Sequence, residues 1–321
     1  MGRGPLPVAV STSYRNRFID YYVLSQIVNG LIFGLIYALL ARGLTVVFSI
    51  MRVVNFSHGE FYMLGGYGLY ALTAGAVTIF GIPLAIPTIL GLPLAMAAVA
   101  VFGMLVERGL LRPVYTVRMD RAEEYAIILT FGLSLFLQYG ALTAVGPYEM
   151  TPGAFWEGSK HVLGDLYLAG DRLFAAGVSA VLIGATLFFI YGTWTGRALM
   201  ATAQNRVGST IVGINTVRMN ITAMVLAGLL AGGAGALLAP VFLVYPDVGQ
   251  IPVIKAFVII VLGGMGSIPG AVVAALILGV VESLGSVYVS VAYRDVFAFL
   301  VLIGVLLFRP HGLFGQKERR A

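Results

Sequence analysis

Long apolar segments constrain this chain more than any other feature of its sequence. Six of them run without interruption, at roughly residues 22–41, 82–106, 124–146, 173–194, 219–244 and 286–308. A helix needs about 20 largely apolar residues to cross the hydrocarbon core of a bilayer. Because 59% of the residues are hydrophobic and only 11% are charged, we predict an all-α polytopic membrane protein, with about six full transmembrane helices.

Two further apolar stretches, 43–75 and 254–284, are interrupted. The first contains a polar cluster and the second a glycine-rich run, namely Gly263, Gly264, Gly266, Ser267, Pro269 and Gly270. Glycine and proline disrupt regular helices, and irregular backbone at membrane depth needs protein or a water-filled cavity around it. We therefore predict two broken or re-entrant helical elements. Paired elements of this kind hint at an internal repeat and indicate a transport pathway.

The polar cluster consists of Asn55, Ser57, His58 and Glu60. Ionisable groups at membrane depth are costly and usually face a bundle interior or an aqueous path, so the cluster is a candidate lining of a solute route. A structural interpretation is equally compatible with the residues. Asn55 or Ser57 can cap the following helix, and Ser57 and Glu60 have the spacing of a capping box. A metal site is not predicted, since His58 and Glu60 supply fewer than the three or four ligands required.

The charge distribution predicts the topology. Most of the 20 Lys and Arg residues fall in the two termini and in the segments 107–123 and 195–218. The positive-inside rule places these segments in the cytoplasm and the loop 147–172 outside. We predict a cytoplasmic N-terminal extension (1–20), a transmembrane domain (21–308) and a basic cytoplasmic tail (309–321), with both termini cytoplasmic. The topology explains the net charge of +6, which therefore does not indicate nucleic-acid binding.

The segment 195–218 reads as an amphipathic helix with three arginines and no acids. It is either a surface helix anchored by snorkelling arginines or a docking element for a partner protein. Other charged residues are expected at helix ends: Arg42 snorkelling, Glu282 interfacial or capping, and Arg294 with Asp295 as boundary charge. None of the three lysines follows a glycine, so the phosphate-binding GK pair is missing and no nucleotide site is predicted. The absence of cysteine excludes disulfides and thiolate chemistry.

Three separated motifs resemble one known family. They are Asn55 to Gly65 (preceded by Asn29-Gly30 and Tyr37-Ala38-Leu39), Gly196 to Arg206 (ending in Gly213-Ile214-Asn215), and Leu262 to Ala271 (leading to Glu282-Ser283). In this order, over roughly residues 22–312, they resemble the LivH-type permeases of branched-chain amino acid ABC importers.

The resemblance implies a non-enzymatic transmembrane subunit of the bacterial inner membrane that moves branched-chain amino acids by alternating access. It implies four partners: a second homologous permease, two cytoplasmic ATP-binding subunits and an extracytoplasmic amino-acid-binding protein. ATP would be used by the partners, so no cofactor is expected in this chain. Coupling to the ATPase is expected at Arg197, Gln204, Asn205, Arg206 and Gly213. The acidic residue common in such loops is missing, since the matching positions read Val207, Gly208 and Ser209.

Three alternatives stay open. Permeases of this group also serve urea, amides or other amino acids. A stand-alone ion-coupled carrier could use Glu60 and His58 as a proton relay. A membrane-embedded hydrolase would need a second acid or a metal cluster near His58, and the sequence offers neither nearby.

Overall fold

A computed structural model describes residues 12–75, 78–79, 82–83, 85–116, 121–163 and 166–315. Helices make up most of these residues, joined by two short β-hairpins. In chain order the elements are α1 (Thr12–Met51), α2 (His58–Thr73), β1 (Thr78–Ile79), β2 (Ile82–Pro83), α3 (Thr88–Val106), a π-helical turn (Glu107–Leu111), α4 (Arg112–Thr116), α5 (Ala122–Val145), β3 (Ser159–Leu163), β4 (Leu166–Ala169), α6 (Gly170–Gly192), α7 (Trp194–Gln204), α8 (Arg206–Ile211), α9 (Thr216–Phe242), α10 (Gln250–Gly263), α11 (Ile268–Tyr288), a 3-10 turn (Val291–Tyr293) and α12 (Arg294–Phe308).

Seven helices among the described residues are long and apolar enough to cross a membrane, which confirms the all-α polytopic prediction. The seventh is α11, which lies in the second interrupted stretch. In the first stretch the break lies at the polar cluster as predicted, but the segments 22–41 and 43–51 form one helix, because α1 continues through Arg42 to Met51. Residues 12–20, predicted as part of an extension, already belong to α1, whereas residues 1–11 and the tail from 316 lie outside the described part.

The most buried helices are α1 and α9, and α5 and α12 lie at the periphery. Small residues let the central helices approach closely where lipid gives no hydrophobic drive. A Cβ added to Gly30 of α1 would lie 2.6 Å from the Cα of Val280 in α11. One added to Gly65 of α2 would lie 2.6 Å from the Cα of Gly232 in α9. The abundant glycines therefore serve helix packing.

Cross-helix contacts define two faces of the helical layer. At the lower face, Arg206 of α8 donates to the Ile50 carbonyl near the end of α1 (3.2 Å). Residues following α12 join this face, since the backbone N–H groups of Leu313 and Phe314 donate to carbonyls at the end of α10. At the upper face, Arg172 at the start of α6 donates to Asn29 of α1 (3.3 Å).

These faces also locate the first and last helices of the described chain. Helix α1 starts beyond Asn29 at the upper face, whereas α12 ends at the lower face. The side of the membrane on which each terminus lies stays a prediction.

Candidate functional site

The N-termini of two short helices, α2 and α10, meet inside the helical layer. We call this contact the junction. A Cβ on Gly59 would lie 2.6 Å from the Gly249 carbonyl oxygen, so the two backbones touch. The ring Nε2 of His58 lies 3.0 Å from the carbonyl oxygen of Leu40. Leu40 is about 16 Å along α1 from its lower end at 1.5 Å per residue. The junction is therefore far from the lower face, and α10 runs from it down to that face.

The first break, residues 52–57, leads the chain from α1 back into the layer. Arg52 adopts a left-handed φ of +54°. The Oδ1 atom of Asn55 accepts hydrogen bonds from the backbone N–H (3.0 Å) and hydroxyl (2.7 Å) of Ser57. Ser57 makes no side-chain cap, and the Glu60 carboxylate bonds to Ser134 of α5 instead of the turn. The predicted capping box is therefore wrong, because Asn55 holds the turn and leaves Glu60 directed at another helix.

The glycine-rich run forms a tight turn between α10 and α11 at the lower face. Gly264 and Gly266 have positive φ values of +97° and +89°, a conformation that favours glycine. Ser267 caps α11 by accepting from the Gly270 N–H (3.1 Å), and a Cβ on Gly263 would lie 2.5 Å from the Gly270 carbonyl carbon. Pro269 occupies the first turn of α11. The run therefore separates α10 from α11, and it lies at the lower face instead of at membrane depth, where a broken element had been predicted.

The mid-layer break in the second half is a different segment, residues 243–249, which sequence analysis missed. It follows α9 with a left-handed Leu243 (φ +66°) and pairs Val244 with Met150 through their backbones. It then turns through Pro246-Asp247-Val248-Gly249 into α10. That proline, aspartate and glycine are a recognisable turn signal.

The predicted polar cluster is buried at the junction. Asn55 and His58 are 0% exposed and Glu60 is 2% exposed. One polar atom of each, namely Asn55 Nδ2, His58 Nδ1 and Glu60 Oε2, has no hydrogen-bond partner within the described part of the chain. Leaving such an atom unsatisfied costs about 1–3 kcal/mol. The cluster thus retains hydrogen-bonding capacity that the fold itself does not use.

Two cavities approach the cluster from opposite faces. The upper cavity, about 430 Å³, is lined by Gln138, Tyr139, Leu142, Pro147, Glu149, Tyr245, Pro246 and Asp247. The lower cavity, about 1240 Å³, extends from the glycine-rich turn to Val54 and Ile127. Helix α5 borders both, with Ile127 below and Gln138 above. One face of α5 therefore runs from one cavity to the other.

Three polar contacts of α5 separate the cavities, and we call them the barrier. The hydroxyl of Thr130 accepts from the Phe56 N–H (3.3 Å), and the Ser134 hydroxyl donates to Glu60 Oε1 (2.9 Å). Above them, the amide of Gln250 donates to Gln138 Oε1 (3.2 Å). Thr130, Ser134 and Gln138 had not been identified from the sequence. Their four-residue spacing on an otherwise apolar helix is the signal that could have found them.

The predicted docking segment folds as two short helices, α7 and α8, at the lower face. Asn205 caps α8 by accepting from the Gly208 N–H (2.8 Å), and Gly213 has a φ of +87°. Arg206 turns inward, donating to Ile50 and lying over the Tyr115 ring. Arg197 is exposed over Trp194, and Gln204 lines the lower cavity.

The outer surface of this segment is apolar. Val207, Ile211 and Val212 are 71%, 80% and 75% exposed. The sequence had predicted one amphipathic helix over residues 195–218. In the structure α7 buries Leu199 while α8 turns its apolar residues outward.

A buried ionic cluster lies between α1, α10, α11 and α12. Lys255 Nζ is 2.8 Å from Glu282 Oε2 and 2.9 Å from Asp295 Oδ1, and it donates to the Tyr37 hydroxyl (3.3 Å). Arg294 Nε lies 3.6 Å from the same Glu282 oxygen. The prediction of an interfacial Glu282 is wrong, because this side chain is 0% exposed and pairs with Lys255. Arg294 and Asp295 lie at the start of α12 as predicted, and they also contact this buried pair, Arg294 through Glu282 and Asp295 through Lys255.

Arg42 also departs from its predicted role. It is 0% exposed, and its Nη1 donates to the Ile183 carbonyl (2.9 Å). The snorkelling prediction fails because α1 continues beyond this residue. An ionisable residue within a long apolar segment is the signal shared by Arg42, Lys255 and Glu282.

No group of three or more His, Cys, Asp or Glu side chains within the described ranges could hold a metal ion.

Comparison with known proteins gives the family context. The family model described as "Branched-chain amino acid transport system / permease component" matches residues 26–306. The permease protein LivH of a high-affinity branched-chain amino acid transport system from Salmonella typhimurium is 34% identical, covering 92% of this chain and 97% of its own length. The corresponding BraD of Pseudomonas aeruginosa is 35% identical, covering 93% and 97%. LivM of Salmonella typhimurium is 29% identical, covering 87% and 68%. No solved structure matches the chain.

Proposed function

The chain belongs to the family of permease components of branched-chain amino acid transport systems, and from this premise we propose how its structure moves the substrate. The protein is a multi-pass transport subunit of an ABC importer, not an enzyme, and ATP is hydrolysed by separate subunits. We infer that leucine, isoleucine or valine passes along the inner face of α5, through the junction, by alternating access.

The main support for this pathway is the barrier that lies between the two cavities. Alternating access requires a substrate route that is closed at one place at a time. Here the upper and lower cavities end on the same helix face, and the contacts of Thr130, Ser134 and Gln138 lie between them. Irregular backbone beside the barrier, at 52–57 and 243–249, fits the rule that such backbone borders a cavity or buried protein.

The orientation follows from the basic residues of the lower face. Arg197 and Arg218 are exposed there, so the positive-inside rule assigns this face to the cytoplasm. In this orientation the 195–218 segment and the 309–321 tail are cytoplasmic. The 147–172 loop, with its β3–β4 hairpin, is external, and α1 starts on the external side. The membrane is the bacterial inner membrane.

The partners follow from the two faces. Two ATP-binding subunits dock at the lower face, with α8 as the contact through its exposed Val207, Ile211 and Val212. Shape and apolar contact replace the acidic residue that such loops often carry. The amino-acid-binding protein delivers substrate to the upper cavity, and the second permease is homologous to this chain. The likeness to both LivH and LivM supports a pair of related permeases.

The test is reconstitution of the complete complex in proteoliposomes with its binding protein. We expect ATP-dependent leucine uptake and leucine-stimulated ATP hydrolysis, and a screen of other amino acids, amides and urea defines the substrate range. Uptake by this chain alone, without ATP, would contradict the ABC mechanism and favour the ion-coupled carrier.

A single substitution tests the proposed docking surface on α8. Ile211→Asp places a charge on an 80% exposed apolar contact and should abolish co-purification of the ATPase subunits. Thr210→Ala, its exposed neighbour, is the matched control and should retain them. Normal co-purification of Ile211→Asp would refute α8 as the contact.

A further inference from the structure

We propose that Glu60 binds the α-ammonium group of the amino acid in transit. Ser134 positions the Glu60 carboxylate for this contact. The inference rests on the proposed transport pathway. Glu60 lies in the first turn of α2 and Ser134 on the α5 face that joins the two cavities. Neither residue's role follows from the family resemblance.

The hydrogen bonding of Glu60 leaves one carboxylate oxygen available. Oε1 accepts from the Ser134 hydroxyl at 2.9 Å, and Oε2 has no partner within the described residues although the side chain is almost fully buried. Within that part of the chain, no Lys, Arg or His nitrogen lies within 4.0 Å of this carboxylate. An ammonium group carries three donors and no acceptor, so it suits a buried carboxylate with a free oxygen.

Two helix N-termini offset part of the cost of burying a carboxylate at this position. Helix N-termini carry partial positive charge that stabilises nearby anions. Glu60 lies in the first turn of α2, and Gly59 beside it touches Gly249 at the start of α10. The positive ends of two helices therefore converge next to Glu60, without a protein cation to neutralise it. A substrate cation is the missing partner.

The approach from the outside is also selective for the ammonium end. Glu149 and Asp247 line the upper cavity, and no Lys or Arg of the described ranges does. The cavity reaches Gln138, one turn of α5 above Ser134, and the Gln138–Gln250 amide contact closes the way to Glu60. A zwitterion entering here is drawn in with its ammonium group first, and separation of the two glutamines would bring that group to Oε2.

The test measures leucine molecules taken up per ATP hydrolysed, in proteoliposomes holding the complete complex and its binding protein. Glu60→Gln keeps an acceptor for Ser134 but removes the charge, and we expect a fall of at least about tenfold, the loss of one charge-assisted hydrogen bond. Glu60→Asp should recover part of the ratio. Ser134→Ala should lower it less, by about threefold. Glu124→Gln, an exposed carboxylate on α5 whose side chain is 63% exposed, is the matched control and should leave it unchanged.

The ratio separates recognition from structure, because a variant that only impairs assembly lowers uptake and ATP hydrolysis together. An unchanged ratio in Glu60→Gln overturns the proposal. If Glu60→Gln fails to assemble, Ser134→Ala decides in the same way, since an unchanged ratio there overturns it too. Failure of the wild-type complex to take up leucine would instead refute the proposed function.

Discussion

Removing one member of the buried ionic cluster should destabilise the permease by an amount that depends on which member is removed. In Lys255→Met, Glu282 keeps only Arg294, whose Nε is 3.6 Å away. Breaking a buried pair in this way costs roughly 3–5 kcal/mol, because a buried charge loses its partner. In Glu282→Gln, Lys255 retains Asp295 at 2.9 Å, and the amide oxygen can still accept a hydrogen bond. We expect that variant to lose about 1–3 kcal/mol.

The assay is the free energy of unfolding of the purified permease in mixed micelles, titrated with a denaturing detergent and followed by circular dichroism. The matched control is Arg121→Met, which removes a surface pair with Glu124 whose side chains are 72% and 63% exposed. Exposed pairs contribute about 0–1 kcal/mol, so this variant should be nearly neutral. The double variant Lys255→Met/Glu282→Gln should lose less than the sum of the two single changes, since no charge is left unpaired between these two positions.

Two results would refute this reasoning. One is a loss in Glu282→Gln equal to or greater than that in Lys255→Met, because the alternative partner Asp295 would then have no effect. The other is a loss in Arg121→Met as large as in Lys255→Met, because burial would then not govern the strength of the pairs.

Two further predictions concern the backbone around the junction. Gly65→Ala would push α2 away from α9, because the added Cβ would lie 2.6 Å from the Cα atom of Gly232. We expect a loss of about 1–3 kcal/mol in the same unfolding assay. The control Gly177→Ala meets nothing within 4 Å and should be neutral or stabilising. Asn55→Ala removes the acceptor of the buried Ser57 N–H and should lower the free energy of unfolding by about 1–3 kcal/mol. Asn55→Asp keeps that acceptor and should recover most of the stability. Equal losses in both variants would show that the hydrogen bond does not hold the turn.

Local features of the fold could be predicted from the sequence because they depend on neighbouring residues. Hydrophobic length identified the spanning segments, and the glycine-rich run identified the turn before α11. The cluster from Asn55 to Glu60 was correctly placed at a break within an apolar stretch. What composition could not give was the length of α1, since Arg42 looked like a helix end and is instead buried against Ile183.

Contacts between distant residues could not be predicted, because they depend on which helix faces which. Glu60 meets Ser134, 74 residues away, and Lys255 meets Tyr37, 218 residues away. Nothing in the spacing of one sequence selects these partners. For the same reason the capping box was a reasonable prediction and still wrong, since the side chain of Glu60 had a better partner on α5.

Because α5 lies at the periphery, opening the barrier requires little free energy. Its three polar contacts, from Thr130, Ser134 and Gln138, each contribute about 0.5–1.5 kcal/mol, so together they contribute a few kcal/mol beside apolar contacts such as that of Phe131 with Phe56. That is the scale needed to move a two-state equilibrium from one side to the other, about 5.5 kcal/mol for a shift from 1:99 to 99:1. Because α5 is peripheral while α1 and α9 form the buried core, it can part from the junction without disturbing that core. On the proposed pathway, a partner acting at the lower face would exchange which cavity reaches Glu60 by displacing α5 relative to α2.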